Sequence, residues 1–260
     1  GTTTHRSTPV QVSGLSGVIA IAGGGREGEE NESQSIALKS DGTVWTWGSN
    51  SEGQLGDGTK TNRSTPGQVN GLTNIIAIAG GRYHTIALKS DGTVWTWGYN
   101  GRGQLGDGTY TDRKTPVQAT GISSVIAIAG GRFQTIALKS DKTVWAWGVN
   151  DQGELGDGTT TDRSTPVQVS GISGVIAIAS GEWATVALKS DGTVWTWGRN
   201  NKGQLGDGTT NDRTTPIQVS SLTGIIAIAG GAYHTIATKS DGTVWAWGWN
   251  ESGQLGDGTS

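Results

Sequence analysis

Residues 77–109 read AIAGGRYHTIALKSDGTVWTWGYNGRGQLGDGT, and with small changes this stretch recurs along the chain. Its Trp-X-Trp doublet returns at Trp45/Trp47, Trp95/Trp97, Trp145/Trp147, Trp195/Trp197 and Trp245/Trp247, spaced 50 residues apart each time. One proline marks each unit: Pro9, Pro66, Pro116, Pro166 and Pro216. The wider gap between Pro9 and Pro66 gives the first unit seven extra residues, which fall within 25–35. A repeat of this period signals a solenoid, propeller or array.

Each unit reads as four short strands. VIAIAGG is a continuous apolar run, TIALKS alternates, TVWTWG puts both Trp on one face, and TPVQV is marked by its proline as an outer edge strand. Ser-Asp-Gly-Thr turns and Gly-Leu-X-X linkers separate the strands. At Asp141-Lys142-Thr143 a Lys takes the turn glycine's place, which predicts a positive φ on a non-glycine residue. No helical period of useful length occurs. Four strands repeated radially give an all-β fold, a five-bladed β-propeller of four-stranded antiparallel blades forming a single domain over 1–260.

The ends fit this scheme. Gly1-Thr2-Thr3 aligns with Gly258-Thr259-Ser260, so one unit is split between the termini. Thr8-Pro9-Val10-Gln11-Val12 is then expected as the outer strand completing the C-terminal blade, closing the ring and removing two open edges. A monomer is expected, with a dimer that completes a larger ring as the alternative.

Composition excludes several classes. The 260 residues include 45 Gly, 12 Trp and only 5 Pro, without the strict period of collagen or the Trp-poor character of a disordered chain. Net charge is −3, so there is no basic surplus for a phosphate backbone, and nucleic acid is not an expected partner. The apolar runs are too short to cross a bilayer as helices, and membrane is not expected either. With no Cys there are no disulfides, thiolate metal sites or cysteine nucleophiles. The chain also lacks Met and reads as processed or as a segment of a longer one; nothing in it indicates a compartment.

The repeat resembles the regulator of chromosome condensation repeat, with its AxGxxHTxAL and DGxVxxWGxNxxGQLG signatures, in every unit. The resemblance implies a β-propeller whose usual ring has seven blades; five are present here. Members similar in repeat include a Ran guanine nucleotide exchange factor, a plant ultraviolet photoreceptor and secreted inhibitors of β-lactamase, so resemblance alone assigns no activity.

Differences between units are more informative. ALKSDGTVWTWG and GQLGDGT scarcely change, whereas the residues after the first strand vary: Arg82-Tyr83-His84, Arg132-Phe133-Gln134, Glu182-Trp183-Ala184 and Ala232-Tyr233-His234. A second variable position follows Trp-Gly, at Ser49, Tyr99, Val149, Arg199 and Trp249. In a four-stranded meander the first and third connections share one end, so both variable places fall on one face of the disc. An exposed aromatic cluster of Tyr83, Tyr99, Phe133, Trp183, Tyr233 and Trp249 is expected there. Arg82, His84, Arg132, Glu182 and His234 stand beside it as further partner-contacting candidates. Neutral drift at solvent-exposed loops is the alternative. The insertion carries Arg26, Glu27, Glu29, Glu30 and Glu32, a local charge of −3; it reads either as an acidic finger for a basic partner or as a solvated loop.

The remaining motifs have structural readings. The doublet Trp residues suit packing between blades. Asp57, Asp107, Asp157, Asp207 and Asp257 stand alone in Gly-Asp-Gly-Thr, too few oxygens for calcium and well placed to cap turn amides. His5, His84 and His234 lack metal-ligand spacing. No cofactor and no catalytic set is expected. The function expected is a non-enzymatic binding or scaffold module that recognises a protein through the variable face. A multivalent lectin, or an engineered or recently amplified scaffold without a native ligand, is the alternative; guanine nucleotide exchange rests on the resemblance alone.

Overall fold

In a computed structural model, which describes residues 2–25 and 33–259, the chain forms nineteen strands in five antiparallel sheets. The first sheet comprises β1 (Val18–Gly24), β2 (Gln34–Lys39), β3 (Val44–Gly48) and β4 (Arg63–Gln68). The second holds β5 (Ile75–Gly80), β6 (His84–Lys89), β7 (Val94–Gly98) and β8 (Arg113–Gln118). The third holds β9 (Val125–Gly130), β10 (Gln134–Lys139), β11 (Val144–Gly148) and β12 (Arg163–Gln168). The fourth holds β13 (Val175–Ser180), β14 (Ala184–Lys189), β15 (Val194–Gly198) and β16 (Arg213–Gln218). The fifth has only β17 (Ile225–Gly230), β18 (His234–Lys239) and β19 (Val244–Gly248). Each sheet is a meander paired in sequence order, and these are the blades expected from the repeat.

The core lies between blades rather than within them. Ile36, Leu38 and Val44 of the first blade meet Ile75, Ala87 and Trp97 of the second, with Val69 and Leu72 of the linker between them. The same positions, shifted by 50, make the next three joints. A glycine sets the fit. In the third connection of each blade, Gly56, Gly106, Gly156 and Gly206 lie on the indoles of Trp97, Trp147, Trp197 and Trp247 of the following blade, at φ near +70° and without room for a Cβ. Burying a large rigid ring under bare backbone supplies apolar contact that no side-chain pair could make at that spacing.

Local expectations are met at the turns. Lys142 adopts φ +64°. Asp57 accepts from the Thr59 backbone N–H at 2.9 Å and from its hydroxyl at 2.7 Å, and the other Gly-Asp-Gly-Thr aspartates do the same.

One expectation fails. Residues 8–12 form no strand and are exposed, β19 is left without an outer neighbour, and the fifth sheet stays three-stranded. The physical reason is geometric. The linker from Val12 to Val18 is as short as those between successive blades, so residues 8–12 can reach β19 only where the fifth blade stands beside the first. Among the described residues those two blades do not pack together as successive ones do.

Candidate functional site

The first and third connections of each blade lie side by side. Backbone N–H groups of Tyr99, Val149, Arg199 and Trp249 donate to the carbonyls of Tyr83, Phe133, Trp183 and Tyr233 at 2.9–3.0 Å. The glycine before each, such as Gly98 at φ +108°, has no space for a side chain against the facing loop. The two variable places therefore share one face, and its rings are held by the scaffold.

Four of the six aromatics form one continuous platform over the second, third and fourth blades. Tyr83 stacks on Phe133 at 5.8 Å between centroids, Tyr99 meets both at 6.2 and 5.7 Å, and Trp183 meets Phe133 edge-on at 6.4 Å. Three guanidiniums sit on these rings. Arg82 lies 4.7 Å from Tyr83, Arg132 is 5.1 Å from Phe133 and 4.5 Å from Trp183, and Arg199 is 5.6 Å from Trp183. Tyr233 and Trp249 make a separate pair at 5.8 Å on the fifth blade. The expected single exposed cluster is thus two clusters, and their rings are half-buried rather than fully exposed, because each packs against its neighbours.

Hydrogen bonds lock successive first connections together. The Arg82 N–H donates to the Arg132 carbonyl at 3.3 Å, and the Arg132 N–H donates to the Glu182 carbonyl at 3.0 Å. Gln34 Nε2 reaches the Gly81 and His84 carbonyls, and Gln134 Nε2 reaches the Glu182 carbonyl at 3.1 Å. His84 occupies the equivalent position of the second blade and does the same work. It is fully buried, its Nε2 sits 3.0 Å from Thr135 Oγ1 of the third blade, and burial depresses its pKa to about 3. Its place as a partner-contacting residue is corrected: the strand start turns its ring into the joint. His234, in the fifth blade, is half-buried beside Gly231.

Arg82 also departs from expectation. It is only 5% exposed, so it belongs to the platform rather than reaching into solvent; Arg132 and Glu182 are half-buried. Together with Gly80, Gly81, Gly130, Gly131, Gly181, Gly230 and Gly231, these side chains line a cavity of about 810 Å³ at the ends of the blades' first strands. Tyr233, His234 and Trp249 line it from the fifth blade. Glu27, Glu29 and Glu30 lie outside the described residues.

Two residues of this face were not among the contact candidates that the sequence suggested. Arg199 completes the platform, and its signal was its place directly after Trp-Gly. Glu154 stands where the other blades have Gln54, Gln104, Gln204 and Gln254. It is fully buried, its Oε2 accepts from the Gln152 N–H at 2.9 Å, and its other oxygen has no partner. Burial pushes its pKa up to about 7. The opposite face is uniform: Asp41, Asp91, Asp141, Asp191 and Asp241 each cap the following Thr, whose hydroxyl accepts from the first indole of the doublet.

The chain matches the RCC1-like domain over residues 1–260. It belongs to that family. This RCC1-like chain is similar in structure to human WBSCR16 (TM-score 0.79, 24% identity, 93% of this chain and 64% of that one). It is also similar to yeast RCC1, solved with Kap60 bound (TM-score 0.75, 26% identity, 90% of this chain and 56% of that one). Among curated proteins, human E3 ubiquitin-protein ligase HERC2 is 40% identical over 89 residues, 33% of this chain and 2% of that protein. The chain therefore spans a small fraction of HERC2 and less than two thirds of either propeller.

Proposed function

We propose that this RCC1-like chain is a protein-binding module and that its partner docks on the face formed by the first and third connections. The observation that carries the proposal is the platform of Tyr83, Tyr99, Phe133 and Trp183 with Arg82, Arg132 and Arg199. Aromatic and arginine side chains dominate binding energy at protein interfaces, above all where they are already ordered. Here ordering comes from the scaffold: ring on ring, guanidinium on ring, and cross-blade hydrogen bonds beneath. Yeast RCC1, at 26% identity, has been solved with Kap60 bound, which supports a protein as the partner class. Equivalent sugar sites would need the same loop residues in each blade, and the loops differ most here. Binding of this kind needs no nucleophile, cofactor or metal.

The test compares captured partners between variants. Phe133→Ala with Trp183→Ala removes the centre of the platform and should weaken binding at least tenfold, about 1.4 kcal/mol. Ser90→Ala with Ser190→Ala, on exposed turns of the uniform face, should leave binding unchanged. Loss of binding in the serine variant but not in the aromatic one would assign the partner to the other face.

A further inference from the structure

Asparagine followed by glycine occurs twice in the chain, at Asn70-Gly71 and Asn100-Gly101. A glycine has no side chain to keep its amide nitrogen from the carboxamide of the residue before it, and the ring that the two would close has five members. Whether they react depends on what holds them, and the fold treats the two pairs in opposite ways.

Asn100 is locked. It is fully buried at the start of the third connection of the second blade. Its Nδ2 donates to Asp107 Oδ1 at 3.2 Å and to the Thr109 and Thr111 carbonyls at 3.0 and 3.1 Å. Its Oδ1 accepts from the Leu105 N–H at 3.0 Å, so its Cγ reaches the Gly101 nitrogen only by breaking all of these bonds. Asn50, Asn150, Asn200 and Asn250 hold the same place in the other blades, each followed by a residue larger than glycine. The Asp-Gly pairs of the uniform face are tied through the glycine instead. Gly42, Gly92, Gly192 and Gly242 donate their N–H groups to the carbonyls of Lys39, Lys89, Lys189 and Lys239 at 2.9–3.0 Å.

Asn70 and Gly71 have neither restraint. They are exposed central residues of the turn that links the first blade to the second. Gly71 takes φ +80°, and a Cβ built on it would meet nothing, so the turn stands clear of the rest of the chain. At the equivalent position Thr120 and Ser170 each donate a backbone N–H to a carbonyl, of Gly106 and Gly156, at 2.9 Å. Among the described residues Asn70 makes no such bond, its carboxamide has no partner, and the Gly71 N–H is not donated.

We propose that Asn70 is a site of spontaneous deamidation, reacting with Gly71 to leave aspartate or isoaspartate in the first interblade linker. The Gly71 nitrogen, giving its proton to solvent, attacks the Asn70 Cγ. A C–N bond closes the succinimide ring as the Cγ–Nδ2 bond breaks and ammonia leaves. Water then adds to one of the two ring carbonyls. Opening at the side-chain carbonyl gives aspartate on the original backbone; opening at the backbone carbonyl routes the chain through Cγ as isoaspartate, one methylene longer. Water is the only co-reactant, and both products place a new carboxylate on the uniform face. The isoaspartate also lengthens the chain between Val69 and Leu72, which are 0% and 3% exposed in the core joining the first two blades, and so loosens that joint.

The test holds the folded chain at pH 8 and maps the amide-to-acid mass change at each asparagine by peptide mass spectrometry. Isoaspartate is counted in parallel by labelling with a protein isoaspartyl methyltransferase. Asn70 should convert roughly tenfold faster than Asn100 or more, because reaction at Asn100 waits on local opening of the third connection. In urea the two rates should become similar. Asn70→Ser, which installs the residue found at Ser170 and Ser220, should remove most of the label from the folded chain. The isoaspartate form, separated by ion exchange, should melt below the fresh chain. Equal folded rates at Asn70 and Asn100, or a label that persists in Asn70→Ser, would overturn the proposal. An isoaspartate form that melts with the fresh chain would overturn its effect on the joint.

Discussion

Replacing Glu154 by Gln should stabilise the chain at pH 8 and leave it nearly unchanged at pH 4.5. The carboxyl is fully buried in the third connection of the third blade, with one oxygen bonded to the Gln152 N–H and the other unpartnered. Its pKa rises from 4.5 to about 7, because desolvation disfavours the charged form and because Asp151 and Asp162 add like charge. A raised folded pKa means that the folded chain keeps a proton the unfolded chain has released. Stability from this group is therefore complete below pH 4.5 and is lost as pH rises to about 7. The rise from 4.5 to about 7, at about 1.4 kcal/mol for each tenfold change in proton affinity, puts the loss at about 3.5 kcal/mol. Gln104 and Gln204 show that the amide fits: each accepts the N–H two residues before it, and each leaves only a neutral NH₂ unsatisfied. For a chain of this size about 3.5 kcal/mol is roughly 7–14 °C in melting temperature. Thermal melts of both proteins at pH 4.5, 6 and 8 measure it. Curves that stay parallel from pH 4.5 to 8 would refute the assignment of a charged, buried Glu154 above neutrality.

Three further outcomes follow from the joints. His84 has the opposite sign: its pKa falls from 6.5 to about 3, so it costs stability as pH drops through that window, and His84→Gln should flatten the acid side of a pH–stability curve. Gln34 and Gln134 already occupy the equivalent place in neighbouring blades. Gly106→Ala should cost more than 2 kcal/mol in a denaturant titration, because a Cβ there meets the Trp147 indole; Gly256→Ala, in open space, should cost only its left-handed φ. Lys142→Gly should stabilise by about 1 kcal/mol, since its φ of +64° is one that glycine adopts freely at Gly42, Gly92, Gly192 and Gly242.

The blade was legible because each strand's pattern repeats with its turn residues in place; Lys142 and the capping aspartates could be assigned from single positions. The joints were less legible. That a third-connection glycine lies on the next blade's Trp is a contact 41 residues apart, and both partners are invariant across units, so difference between repeats says nothing about it. His84 was misplaced for a related reason. It sits in a variable triplet, but it is the first residue of β6 and points into the joint, while Tyr83 one position earlier points out. The aromatic face was found from its variability alone. Its division into a platform over blades two to four and a separate pair on the fifth depends on ring orientations that no pattern encodes. Residues 8–12 carry the sequence of an outer strand but form none, because pairing needs a neighbour whose position is set by the angle between blades.

The most direct test of the binding face is amide hydrogen exchange on the chain with and without its captured partner. Protection is predicted in the first and third connections of the second to fourth blades, around residues 81–84, 99–103, 131–134, 181–184 and 199–203. The Ser-Asp-Gly-Thr turns at 40–43, 90–93, 140–143 and 190–193 should exchange as in the free chain. Protection confined to those turns, with the platform unchanged, would contradict the account.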